Sequence, residues 1–253
     1  MAIENKILMA LHARKSVRVY REEYSITKPE RTAILRAAFD APTAGGQQLY
    51  TILDITDPDL RHTVAELCDH QPFIEKAALC LVFLADCRRW ARAYAEAGVE
   101  QVRRPGPGDL MLAVADACIA AQNAVTAAES IGFGSCYIGD VLENNEAMRE
   151  ALKLPEYVVP ACMVVFGRPT NQQMARMKPA RFREQAVVCE NTYRDRTGDE
   201  LRQDFIKRAV ADGKDKAAFD VDQYLKDFCA RKYESDFSRE MNRSAREYWK
   251  QFE

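Results

Sequence analysis

An α/β or α+β fold is predicted for this chain of 253 residues, because helical and strand-like stretches alternate along it. Two apolar runs, Leu79–Leu84 and Val158–Phe166, have strand length and are apolar almost throughout, as strands covered on both faces are. Between them lies a much longer segment, Asp109–Ile131, rich in alanine and apolar on nearly every side. A helix of that kind belongs at a domain centre or in a subunit interface.

The elements follow in order. Ile3, Ile7, Leu8 and Leu11 make a helical stripe over Ile3–Ala13, so the basic run Arg14-Lys15-Ser16-Val17-Arg18 falls at its C-terminal exit. A second helix is predicted over Pro29–Phe39 and stops before Ala41-Pro42, since a residue preceding proline disfavours helical geometry. The small-residue stretch Thr43-Ala44-Gly45-Gly46-Gln47-Gln48 is a loop. Tyr50–Ile55 reads as a strand and Leu60–Cys68 as a helix. In the alanine-rich helix, Ala113, Ala117, Ala120, Ala121, Ala124 and Ala128 allow close backbone approach, and Gly132 ends it. Gly134–Ile138 gives a short strand, and Asn144 is placed to cap a helix through Leu152. Beyond Gly167-Arg168-Pro169 the chain turns polar, passes Lys178-Pro179-Ala180-Arg181 and enters two or three charged helices from about Glu200. One domain over residues 1–195 with a helical C-terminal extension over 196–253 is expected.

Composition narrows the function classes. With 47% hydrophobic residues the chain can bury a sizeable core, and its 36 basic and 38 acidic residues leave a net charge of -2. There is no global field to recruit nucleic acid or an anionic membrane, so neither is an expected partner. The runs Ala77–Ala85 and Val158–Phe166 are far shorter than the roughly 20 residues that a membrane span needs. Met1–Lys6 leads into a charged segment without a signal-peptide pattern, which makes the cytoplasm the expected location. The eight cysteines show no CxxC pair or zinc-like spacing and are expected as free thiols. His12, His62 and His70 are too scattered in sequence to imply a metal cluster or a nucleophile-base pair, so no metal site is expected.

The chemistry centres on Arg14–Arg18, three cations and a hydroxyl in five residues. Alone, such a run is more often a solvated helix face. Guanidinium forks match phosphate oxygens, however, and the small loop Thr43–Gln48, the turn Tyr137-Ile138-Gly139-Asp140 and the pair Lys178/Arg181 suit the same ligand. A phosphate end would sit on some of Arg14, Arg18, Lys178 and Arg181. At Gly139 the missing side chain would let backbone amides reach the edge of a flat heterocycle. Two or three charge-assisted hydrogen bonds at about 1.5–3 kcal/mol each contribute nearly as much as a micromolar affinity requires.

On these residues the chain resembles the nitroreductase/flavin reductase family, and more closely its NADPH-dependent, oxygen-insensitive subgroup. The resemblance rests on Arg14–Tyr20, Ala41–Gln48, Ala121-Gln122-Asn123-Ala124, Glu129-Ser130-Ile131-Gly132, Tyr137-Ile138-Gly139, Leu152-Lys153-Leu154-Pro155, Phe166–Pro169, Lys178-Pro179 with Arg181, and Glu190–Tyr193. It implies an α+β, nitroreductase-like fold with a central, mainly antiparallel sheet flanked by helices, an intertwined homodimer, and FMN at the dimer interface. Carried over position by position, Arg14, Lys15, Ser16 and Arg18 form the first FMN segment, with Thr43, Gly45 and Gln48 beside the cofactor. Gln71 matches a flavin-ring contact, Tyr137, Ile138, Gly139 and Asp140 the turn lining the ring, and Lys178 and Arg181 the second phosphate-side pair.

The implied activity is ping-pong hydride transfer from NADPH or NADH through FMN to small-molecule acceptors such as nitroaromatics, quinones or flavins. It needs no side-chain nucleophile or acid. Specialised flavin or ferric reduction, and a flavin-binding redox sensor or interaction protein, are the alternatives. Two departures stand out. Asp140 occupies a position where the subgroup has a small residue, and Ala180 lengthens the lysine-proline-arginine spacing by one. The C-terminal helices match poorly, leaving Arg231 and Lys232 as substitutes for contacts to the extra phosphate of NADPH.

Overall fold

A computed structural model describes residues 5–253. Its centre is a four-stranded, wholly antiparallel sheet in the order β1-β2-β4-β3, formed by β1 (Tyr50–Asp54), β2 (Leu79–Asp86), β3 (Gly134–Ile138) and β4 (Val158–Gly167). Side chains of β2 and β4 alternate between two apolar layers. Leu79, Leu81, Phe83, Cys162, Val164 and Phe166 face one cluster, while Cys80, Val82, Leu84, Met163 and Val165 face the other. Coverage on both faces is why these strands read as unbroken apolar runs. The β2–β4 register shifts between Phe83 and Leu84, where Pro160 cannot donate to the ladder.

One face is covered by α2 (Lys28–Phe39) and α5 (Pro107–Ser130). Thr27 and Glu30 close α2 with a reciprocal capping box. In α5 the expected alanines are buried: Ala113, Ala117, Ala120, Ala121, Ala124 and Ala128 are inaccessible to solvent. Its apolar character is not uniform in consequence, because Met111, Leu112 and Ile119 remain exposed. By length and composition α5 could cross a membrane, but its buried face is accounted for by the sheet and α2. Against the other face lie α3 (Pro58–Leu67), α6 (Asn145–Ala151) and the C-terminal residues, with Val64, Met148, Tyr248 and Phe252 at the core.

The remaining described elements are α1 (Lys6–Ala13), α4 (Arg88–Glu96), α7 (Asn171–Ala175), α8 (Glu184–Val187), α9 (Gly198–Ala211), α10 (Val221–Phe228) and α11 (Asp236–Trp249). Helix α1 ends at Arg14, so the basic run does leave a helix C-terminus; Ile3, counted in its stripe, lies outside the described residues. Asn144 precedes α6 as expected but does not cap it. It adopts a left-handed conformation and its side-chain amide donates to Leu67 O at 3.0 Å.

The chain divides into two compact units, residues 1–176 with 240–253, and residues 177–239. In the first, residues 240–253 are tied to the sheet's neighbours: Ser244 Oγ donates to Leu142 O at 2.6 Å, and Tyr157 N donates to Gln251 Oε1 at 2.6 Å. The second unit has its own aromatic nucleus, with Phe182 and Phe205 edge to face at 5.0 Å and Tyr224 beside Phe228 at 5.8 Å. All eight cysteines are free thiols.

Candidate functional site

Beyond the helix exit, the basic segment is laid along the outer edge of β3. Val17 N donates to Ser135 O at 2.9 Å, Ser16 bridges Ser135 in parallel, and Tyr20 bridges Pro169 in antiparallel fashion. Two glycines make this approach possible. A Cβ on Gly134 would lie 2.5 Å from Val17 Cγ2, and one on Gly167 would run into the Tyr20 ring. Val17 and Tyr20 are thereby buried, and the alternate residues Ser16 and Arg18 are turned away from the core.

This edge brings together several of the predicted residues. The Arg14 guanidinium lies over the Tyr137 ring at 5.7 Å, and that of Arg18 over Phe73 at 5.8 Å. Tyr137 OH donates to Gln122 Oε1 on α5 at 3.3 Å. Gln71 Nε2 donates both to Cys68 O at 2.8 Å and to the Asp140 carboxylate, which leaves the Gln71 carbonyl oxygen as an acceptor. Asp140 therefore spends its charge on Gln71, at the head of a short 3₁₀ turn over Asp140–Leu142. Ile138 points its side chain into the core, whereas Gly139 is exposed and an added Cβ there would meet nothing within 4 Å.

The edge favours an anion. Among the described residues no carboxylate is in ion-pair contact with Arg14 or Arg18, and the buried Nε of Arg14 has no hydrogen-bond partner. Burial pushes the Glu129 carboxyl up, with Arg14 and Lys15 pulling it back. Burial also raises Glu143 to about 7, reinforced by Asp69, Asp140 and Glu240.

Other predicted residues take structural posts. The Lys15 ammonium donates to Met174 O at 2.6 Å and Arg176 O at 2.5 Å, closing the C-terminus of α7. The Thr43 hydroxyl donates to Asp116 on α5 and accepts from Gln48 N at 2.7 Å. Asp116 also accepts from Ala44 N at 2.9 Å and Leu49 N at 3.2 Å, so one buried carboxylate gathers the whole small loop. Within it Gly45 takes a left-handed φ of 56° and Gln48 one of 49°.

This loop is pinned at position 116 of α5, whereas Arg14 lies over Tyr137, whose hydroxyl meets the same helix at Gln122. Lys178 and Arg181 lie in the second unit, where Arg181 Nη1 donates to Pro179 O at 3.2 Å.

Sequence reasoning missed Asp116, Phe73 and Gln173. Asp116 carried a signal: a single acid inside an apolar helix demands buried donors. Gln173, whose Oε1 accepts from Arg18 N at 3.4 Å, carried none. The histidines, scattered in sequence, are not isolated in space, since His62, Glu66 and Glu75 offer ligand atoms within 4.8 Å of one another.

A nitroreductase family model matches residues 11–168, which hold the whole sheet, the basic segment and the turn beside it. The chain belongs to the nitroreductase family. It is 32% identical over 197 residues to an FMN reductase (NADPH) of Bacillus subtilis, covering 77% of each chain. To an oxygen-insensitive NADPH nitroreductase of Salmonella typhimurium it is 35% identical over 179 residues, 71% of each. The solved structure of the NfrA1 nitroreductase from B. subtilis matches with a TM-score of 0.75 at 29% identity, covering 93% of this chain and 98% of that one. Membership agrees with the expected α+β fold and its antiparallel sheet.

Proposed function

We propose that this chain is an FMN-dependent oxidoreductase that draws on NADPH or NADH and reduces small acceptors such as nitroaromatics, quinones or flavins. The observation that carries this reading is the β3 edge: two guanidinium groups without carboxylate partners, an orphaned buried Nε, and open space at Gly139. These residues fit a phosphorylated flat ring. Arg14 and Arg18, aided by Ser16, would hold the phosphate, and Gln71 would accept from a ring N–H through its remaining oxygen. Tyr137, Ile138, Gly139 and Asp140 would present backbone to the ring edge. FMN, when bound, supplies the hydride chemistry, taking two electrons from the reduced nicotinamide and passing them to the acceptor. No side-chain nucleophile is needed for that.

A homodimer completes the site in this reading. The exposed Ile7, Met9 and Leu11 of α1 and Met111, Leu112 and Ile119 of α5 are apolar surface suited to a second copy. Across such a face the loop with Thr43, Gly45 and Gln48 would serve the partner's ligand. Lys178 and Arg181 are assigned to the phosphate side on the family resemblance. The relatives' names specify NADPH, and free thiols suit the reducing cytoplasm, where reduced nicotinamides are abundant.

The test is spectroscopic. Purified protein should carry flavin absorbance that bleaches anaerobically with NADPH or NADH and recovers on adding a quinone. A flavin that binds but stays oxidised would overturn the proposal.

A further inference from the structure

The exposed side of α3 carries a cluster that the flavin chemistry does not use. His62 and Glu66 stand one turn apart on α3, so they share a face. Glu75 reaches the same point from the stretch after the helix, with its Oε1 3.1 Å from His62 Nδ1. Ligand atoms of the three all lie within 4.8 Å of one another. His70 Nδ1 is bonded to the second carboxylate oxygen of Glu66 at 2.6 Å. All of these side chains are exposed, His62 at 61% and Glu75 at 41%.

We propose that His62, Glu66 and Glu75 form a surface site for a divalent transition-metal ion of the zinc class, with His70 orienting Glu66 from outside the coordination shell. Donor chemistry and spacing both point there. One imidazole nitrogen and two carboxylates match the mixed N/O sets of zinc, whose bonds of about 2.0–2.2 Å put tetrahedral neighbours roughly 3.3–3.6 Å apart. The His62–Glu75 pair already stands at 3.1 Å and all three donor atoms lie within 4.8 Å of one another, so modest side-chain rotations would bring them to that spacing. Charge agrees. Among the described residues the ion-pair partners of Glu66 and Glu75 are His70 and His62, with no lysine or arginine to neutralise the two carboxylates; nearby Lys76 is paired with Glu22 at 2.7 Å. Three protein donors leave a fourth position for water, the pattern of an open and exchangeable site.

The ion would tie position 62 to position 75, and between them lie Gln71 and Phe73, the residues set against Asp140 and Arg18. That segment already has its own turn bonds, among them Gln71 N to Ala65 O at 3.3 Å, Ile74 N to Gln71 O at 3.0 Å and Gln71 Nε2 to Cys68 O at 2.8 Å, and the ion would add a cross-link spanning all of them. Metal occupancy therefore stiffens the loop that presents Gln71.

Full-length protein stripped with a chelator and titrated with zinc chloride against a chromophoric competitor should take up one tight equivalent. Replacing His62→Ala or Glu75→Gln should weaken it by more than about tenfold, with His70→Ala in the lower part of the 10–100-fold range for an outer group. A Cys189→Ser/Cys229→Ser double variant should bind as the wild type does, since those exposed thiols are the competing zinc ligands. Amide exchange over residues 68–76 should slow with zinc in the wild type and not in His62→Ala. Unaltered binding by His62→Ala, loss of the equivalent in the cysteine variant, or no uptake by the wild type would each overturn the site. Zinc uptake is read without turnover, so its failure is distinct from failure of the flavin proposal.

Discussion

Replacing Asp116→Asn removes one negative charge from the middle of α5 and isolates what gathers the small loop. The aspartate accepts from Ala44 N on one oxygen and from Leu49 N and the Thr43 hydroxyl on the other. Asparagine keeps one oxygen. If it retains the Leu49 and Thr43 bonds, its amide group faces the Ala44 N–H donor to donor. One charge-assisted bond is lost, worth about 1.5–3 kcal/mol, and two others fall from charged to neutral strength, so a total of about 3–4 kcal/mol is expected. That is a large share of the roughly 5–15 kcal/mol that holds a domain folded. Urea unfolding followed by far-UV circular dichroism should show a much lower midpoint with an unchanged slope. Thr43→Val, which removes the hydroxyl's bond to the carboxylate and its acceptance from Gln48 N, should cost about 2–3 kcal/mol. A loss below 1 kcal/mol for Asp116→Asn would refute the view that this carboxylate organises residues 43–49.

Three further outcomes follow from the site. Arg18→Ala loses packing over Phe73 and a bond to the buried Cys136 thiol but breaks no ion pair, so stability should fall by no more than about 1 kcal/mol while FMN affinity, measured by quenching of flavin fluorescence, falls about 10- to 100-fold; retention within twofold contradicts its phosphate role. Gly134→Ala sets a methyl 2.5 Å from Val17 Cγ2 and should cost about 1–3 kcal/mol in thermal unfolding, with weaker flavin binding as the basic segment is pushed off β3. Glu143 has its proton affinity raised to about 7 by burial, so folding is favoured at low pH and progressively penalised as pH climbs from the ordinary carboxylate range to about 7. Glu143→Gln should flatten that decline in melting temperature between pH 5 and pH 8, and an unchanged profile would show that another group governs it.

How much of this was readable in the residues depends on range. Strands β2 and β4 announced themselves because both faces are covered and polar residues have no place in them. The helix α4 escaped notice because its apolar positions, Trp90 and Tyr94, are interleaved with arginines and it buries no residue fully. Arg14–Arg18 was legible because its charges are adjacent in sequence. What the charges do was not: Lys15 looked like a flavin contact, yet its ammonium closes α7, a helix 159 residues downstream. Gly134 and Gly167 read as strand punctuation, and their steric service to Val17 and Tyr20 appears only when the chain is folded. The same limit hid the cluster of His62 and Glu75 and the return of residues 240–253 to the first unit.

Arg168 sits between the rings of Tyr24 and Phe133, at 4.8 and 4.4 Å, and donates to Ile131 O and Glu30. With Tyr20 bridging Pro169 and Lys15 closing α7, the amino-terminal cations depend on residues that emerge last from the first unit's main stretch. A nascent chain halted before β4 offers Val17 its partner Ser135 but lacks Pro169, Met174 and Arg176, which hold Tyr20 and Lys15. Full anchoring of the basic segment is thus postponed until roughly 176 residues have been synthesised, about 10–35 s into translation at ordinary bacterial speeds.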